Sequence, residues 1–108
     1  MIDVKELRIG NWVGTAGGTK PKIITVEDFW SYYVDPMTRF HYYDPIPLSA
    51  EILEAAGFEK KYVAGDIRLH WLIDGLLFCE DELSMSRGLH WLQNYIYFKT
   101  GKELDIKL

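Results

Sequence analysis

Apolar positions in this chain follow a two-residue spacing in some stretches and a helical spacing in others, and the alternation between the two predicts the elements. In Leu7-Arg8-Ile9-Gly10-Asn11-Trp12-Val13, the turn-forming Gly10-Asn11 precedes the β-prone Trp12 and Val13, which start a strand. Gly14 to Pro21 reads as a hairpin loop with Gly17-Gly18 at its tip, and Lys22-Ile23-Ile24-Thr25-Val26 as the returning β-branched strand. Phe29 to Val34 and Arg39 to Tyr43 predict a second hairpin around Asp35-Pro36-Met37-Thr38, because Asp then Pro suits the first two positions of a type I turn. Pro45 and Pro47 each lack an amide donor, so the sheet ends there.

Helical spacing follows. Ser49 is a good N-cap, Glu51 favours the helix dipole, Leu48 can staple onto Leu53, and Gly57 supplies the C-terminal stop for a helix over Ala50 to Ala56. Asp74-Gly75 between apolar runs predicts a type I′ hairpin whose register pairs Ile73 with Leu76, Trp71 with Phe78 and His70 with Cys79. One face then carries Ile67, Leu69, Trp71, Ile73, Leu76 and Phe78 and is assigned to the core; the other carries Arg68, His70, Leu72, Leu77, Cys79 and Asp81. A last helix over Arg87 to Thr100, capped by Ser84 or Ser86 and stopped at Gly101, has Met85, Leu89, Leu92 and Ile96 at helical spacing, with Trp91, Tyr95 and Phe98 widening the apolar arc. His90, Gln93, Asn94 and Tyr97 form a neutral polar stripe on it, read either as its solvent side or as groups that hydrogen-bond to the sheet or across an interface. Glu103 to Leu108 alternates as an edge strand would.

The fold class expected is α+β in one domain, 1–108. A bent antiparallel sheet or SH3-like small barrel fills 1–48; a short central helix, a second hairpin and a C-terminal helix packed on the sheet fill 49–108. The 108 residues, 48% apolar, suffice for one core without disulfides, consistent with the single Cys79. A net charge of -4 disfavours coating nucleic acid or an anionic membrane, and no apolar run approaches the ~20 residues of a spanning helix. Met1 to Glu6 has neither the basic start nor the apolar stretch of a signal peptide, which predicts a cytoplasmic protein.

Catalytic signatures are weak. Gly14 to Lys20 resembles a phosphate-binding loop, but Thr19 separates Gly18 from Lys20, and Pro21 leads into a strand rather than a helix. His70 and Cys79 face each other on one ribbon, yet two ligands do not make a zinc site, and the acidic Glu80-Asp81-Glu82 would suppress a thiolate at Cys79. No metal, cofactor or enzymatic activity is therefore expected.

The aromatic residues are the unusual item: seven of sixteen rings fall between Phe29 and Tyr43. Adjacent pairs on a strand place rings on both faces, so one face fills the core and the other either receives the last helix or forms an exposed platform. The candidate binding residues are Trp30, Tyr32, Tyr33, Tyr42 and Tyr43, with His90, Gln93, Asn94 and Tyr97 as a second surface. Because Asp28, Asp35 and Asp44 surround Lys22, Arg39 and His41, a protein or peptide partner is favoured over nucleic acid. A homodimer is compatible with the greasy helix or an edge strand.

Three segments, Leu7 to Val13, Pro45 to Leu53 with Gly57-Phe58, and Leu89-His90 with Leu92-Gln93-Asn94 and Thr100 to Leu104, together resemble a family of small uncharacterised proteins encoded by bacterial prophages and mobile elements. The resemblance covers about a third of the chain and implies an origin in such an element but no activity. The function expected is a non-enzymatic accessory or interaction protein acting through an aromatic-rich protein-binding surface. The alternative is a nucleic-acid-associated regulator using the aromatic face of a small barrel.

Overall fold

The buried apolar side chains divide into two clusters, and polar side chains of the last helix tie one to the other. This computed structural model describes residues 2–15, 20–35 and 43–108. The N-terminal cluster gathers Ile2, Leu7, Val13, Ile24 and Tyr43, with Val4, Phe29 and Tyr32 packed against it. Strands β1 (Trp12–Thr15) and β2 (Lys20–Ile23) pair antiparallel, Trp12 opposite Ile23 and Thr15 opposite Lys20. On the other side of β1, Gly14 and Asp44 exchange backbone hydrogen bonds of 2.7 and 2.9 Å. β2 carries Pro21 and two lysines, residues suited to the unpaired edge of a sheet.

The strand expected from Phe29 to Val34 is instead helix α1 (Val26–Val34), so the predicted Phe29–Tyr43 hairpin is overturned; its returning half, Arg39 to Tyr42, lies outside the described residues. A capping box starts the helix. Thr25 Oγ1 accepts from the Asp28 amide, and the Asp28 carboxylate accepts from the Thr25 amide at 2.8 Å. The returning strand therefore stops at Ile23, before Thr25 can join it.

Asp28 is 1% exposed and also accepts from the Thr25 hydroxyl at 3.0 Å, the Tyr43 hydroxyl at 3.0 Å and the Lys22 ammonium at 3.2 Å. Burial alone would raise its pKa, but these donors outweigh that and hold it below the ordinary 3.8. Its stabilising contribution is therefore complete above 3.8 and is lost as the pH falls through the folded value. Asp28→Asn should lower stability by about 1–2 kcal/mol at neutral pH and flatten the acid limb. Denaturant melts at neutral pH and near pH 3 check this; a variant as acid-sensitive as the parent would remove Asp28 as the source.

The second cluster is built by α2 (Ala50–Ala55), the three-stranded sheet β3 (Glu59–Tyr62), β4 (Leu69–Ile73) and β5 (Leu76–Cys79), then α3 (Glu80–Ser84) and α4 (Leu89–Thr100). α2 follows its sequence signals. Ser49 Oγ accepts from the Ile52 amide at 3.2 Å, and the Phe58 and Gly57 amides close the helix on Leu53 and Glu54 carbonyls. The β4–β5 register matches the predicted pairing of Ile73 with Leu76, Trp71 with Phe78 and His70 with Cys79. Trp71 and Phe78 are buried in this cluster, with Leu69, Ile73 and Leu76 packed against it, whereas Ile67 precedes the strand and is exposed. β3, unforeseen in the sequence, pairs with β4 and presents the charged edge Glu59-Lys60-Lys61.

The sheets are two- and three-stranded and do not close into a barrel, since the residues meant to extend the first sheet form α1. The α+β class stands. The last helix starts at Leu89 rather than Arg87, with Gly88 as N-cap and neither Ser84 nor Ser86 capping it; Glu80–Ser84 forms a separate short helix. Leu89, Leu92 and Ile96 are buried as expected, but Met85 precedes the helix and is exposed. Phe98 is also exposed, since it lies about 180° round the helix from Leu89. Glu103 to Leu108 is not a strand, although Leu104 is buried and Ile106 half-buried between exposed charged neighbours. Among the described residues no helix is long and apolar enough to cross a membrane.

Candidate functional site

Within the polar stripe of α4, His90 and Gln93 are buried and Asn94 is half-buried against protein, whereas Tyr97 is exposed. Gln93, 2% exposed, accepts from the Trp12 amide at 2.7 Å through Oε1 and donates to the Gly10 carbonyl at 3.2 Å through Nε2. Asn94 and Asn11 pair their amides reciprocally at 2.8 and 3.1 Å. Asn94 also accepts from Arg8 Nε at 3.0 Å and donates to the Glu6 carbonyl at 2.9 Å. Tyr97 lies under the Arg8 guanidinium, 4.3 Å from ring centroid to Cζ, and Arg8 is ion-paired with Glu103. The solvent-side reading therefore fails for His90, Gln93 and Asn94 and holds only for the exposed Tyr97: Gln93 and Asn94 form a latch between the last helix and the turn before β1.

His90, the fourth member, is different. It is 1% exposed, and neither ring nitrogen has a hydrogen-bond partner. Nε2 stands 3.5 Å from Glu6 Oε1, which forms an ion pair with Arg87 Nη1 at 3.1 Å. Burial pushes the His90 pKa down from 6.5, against the opposing pull of Glu6. For Glu6, burial would raise the pKa, but contacts with Arg87 and His90 prevail and keep it below 4.5.

The aromatic candidates separate by location. Tyr43 is buried, its hydroxyl donating to Asp28 Oδ1, and Tyr32 packs half-buried against the N-terminal cluster. Tyr42 lies outside the described residues. Trp30 and Tyr33 stay at the surface, 67% and 79% exposed, stacked with centroids 6.0 Å apart and planes inclined by 22°. Val26 and Val34 extend this exposed apolar face, at 64% and 66%. Sequence reasoning missed both valines because it read a strand; the spacing Val26, Trp30, Tyr33, Val34 at i, i+4, i+7 and i+8 is the signal that finds them. The opposite face, with Asp28, Phe29 and Tyr32, locks the helix to the fold.

No family model, no curated protein and no solved structure matches this chain. His70 is buried beside Cys79, but its Nδ1 is 3.0 Å from the Arg68 carbonyl and its Nε2 is 3.7 Å from Asp66 Oδ2. Arg68 engages Asp66 in turn and holds that carboxyl down to about 2. Among the described residues no group of three or more His, Cys, Asp or Glu side chains is placed to hold a metal ion.

Proposed function

We propose that this chain is a non-enzymatic interaction protein of a bacterial phage or mobile element that captures a protein partner on the outer face of α1. The stacked, exposed Trp30–Tyr33 pair on a helix anchored from behind carries this reading. Aromatic rings supply large contact area at low entropic cost, and a face fixed before binding loses little more on association. Glu27 and Asp35 are exposed on the same helix and its C-cap, which favours a partner whose apolar surface is edged by basic side chains and disfavours phosphate backbones. The resemblance to prophage and mobile-element proteins supports the setting.

Trp30→Ala and Tyr33→Ala should abolish capture of the partner from host lysate, with nuclease-treated and untreated samples alike, while shifting the melting temperature by no more than a surface substitution does. Loss of folding in both variants would place the rings in the core and end the proposal. Binding to single-stranded nucleic acid that weakens steeply with salt would support the regulator reading instead.

A further inference from the structure

α4 begins without a side-chain cap and without an acidic residue in its first turn. The Leu89 amide donates to the Ile46 carbonyl at 2.9 Å, whereas the amides of His90 and Trp91 have no acceptor among the described residues. The first turn of a helix is electropositive and its free amides favour anions. By itself this selects nothing, but the buried His90 imidazole adds an independent observation. It lines two neighbouring cavities of about 230 and 310 Å³, both also lined by Glu6 and Arg87; Ile2 and Pro45 complete one, Trp91 and Asn94 the other. A buried polar group without a hydrogen bond is costly, and His90, 1% exposed, has both ring nitrogens in that condition.

The groups around that place are mostly donors: the Arg87 guanidinium, one imidazole N–H and the first amides of α4. A single carboxylate stands against them. Glu6 is ion-paired with Arg87 at 3.1 Å yet lies 3.5 Å from His90 Nε2, too far for a good hydrogen bond. Arg87 is 71% exposed, so its guanidinium is free to leave Glu6 for a second anion without disturbing the core. Glu6 thus behaves as a tethered oxyanion that reaches the site without filling it.

We propose that the cavity between Glu6, Arg87 and His90 binds a small oxyanion, a phosphate or carboxylate group, which takes Arg87 from Glu6 and hydrogen-bonds to the His90 imidazole. Apolar Ile2, Pro45 and Trp91 provide walls for a compact organic body attached to that group. This site does not depend on the α1 face, and either can fail alone.

The test is an NMR titration of the full chain, following the His90 imidazole at constant ionic strength and pH, with inorganic phosphate in one arm and acetate in another. A saturable His90 shift in one arm identifies the oxyanion class, and His70 serves as the internal control. Arg87→Ala should weaken binding about tenfold or more. Glu6→Gln removes the tethered competitor and should tighten it about threefold to tenfold. No saturable shift up to about 50 mM of either anion overturns the proposal, since weaker binding has no specific site behind it. An unchanged affinity in Arg87→Ala, or weaker binding in Glu6→Gln, overturns it equally. Melting curves of both variants confirm that the protein titrated is folded.

Discussion

Gly88→Ala is expected to lower stability by about 3–5 kcal/mol, with the melting temperature falling by more than ~10 °C. Gly88 is the N-cap of α4 at φ 104° and ψ -170°, a region that essentially only glycine occupies. Backbone strain there costs about 1–3 kcal/mol for any other residue. A Cβ at this position would also stand 2.8 Å from the Pro45 Cβ and 2.9 Å from the Ile46 carbonyl oxygen. Relief by moving Ile46 is itself costly, because that oxygen accepts the Leu89 amide. Gly101→Ala is the control. It has a comparable positive φ of 72°, but its Cβ would meet nothing within 4 Å, so only the strain remains, about 1 kcal/mol. Thermal or denaturant melts giving equal losses for the two variants would show that close approach to Pro45 and Ile46 is not what fixes Gly88.

Gln93→Ala should cost about 3 kcal/mol. The substitution leaves the Trp12 amide and the Gly10 carbonyl facing a cavity, two unsatisfied backbone groups at about 1–3 kcal/mol each before any water enters. Gln93→Glu separates hydrogen bonding from volume. It keeps the size and the acceptor for Trp12, but sets a carboxylate oxygen against the Gly10 carbonyl, and should be destabilised nearly as much. Equilibrium denaturation decides the matter: a Gln93→Ala variant within about 0.5 kcal/mol of the parent would mean that the latch is decorative.

These two positions also show what the sequence could and could not reveal. The Asp74-Gly75 hairpin was legible down to its register, because the turn, the alternation and the cross-strand pairs are all local and agree. The Ser49 to Gly57 helix was legible for the same reason. α1 was misread because Phe29, Trp30, Tyr32, Tyr33 and Val34 are all β-prone; the Thr25-x-x-Asp28 box and the spacing of the half-buried Phe29 and Tyr32 decide for a helix. The latch left no such trace. The partners of Gln93 and Asn94 include backbone atoms of Glu6, Gly10 and Trp12, and a backbone carbonyl carries no residue signature. Nothing in the neutral amides of a helix distinguishes one that meets water from one that meets a main chain 81 residues earlier. Of the candidate sites, the exposed Trp30 and Tyr33 were named but placed on the wrong element, whereas the closure of Glu6 and Arg87 around His90 arises only from the folded chain.

The latch also sets an order of events. Its hydrogen bonds span 81 to 88 residues, so the turn from Glu6 to Trp12 leaves the ribosome long before the side chains that satisfy it. Closing so long a loop is slow and comes ahead of its reward. Until α4 arrives, β1 and β2 can pack on Asp44, α1 and the rest of the N-terminal cluster, but the turn before β1 lacks the side chains that latch it. The turn that opens the fold is therefore among the last parts to be secured, since its hydrogen bonds wait for Gln93 and Asn94.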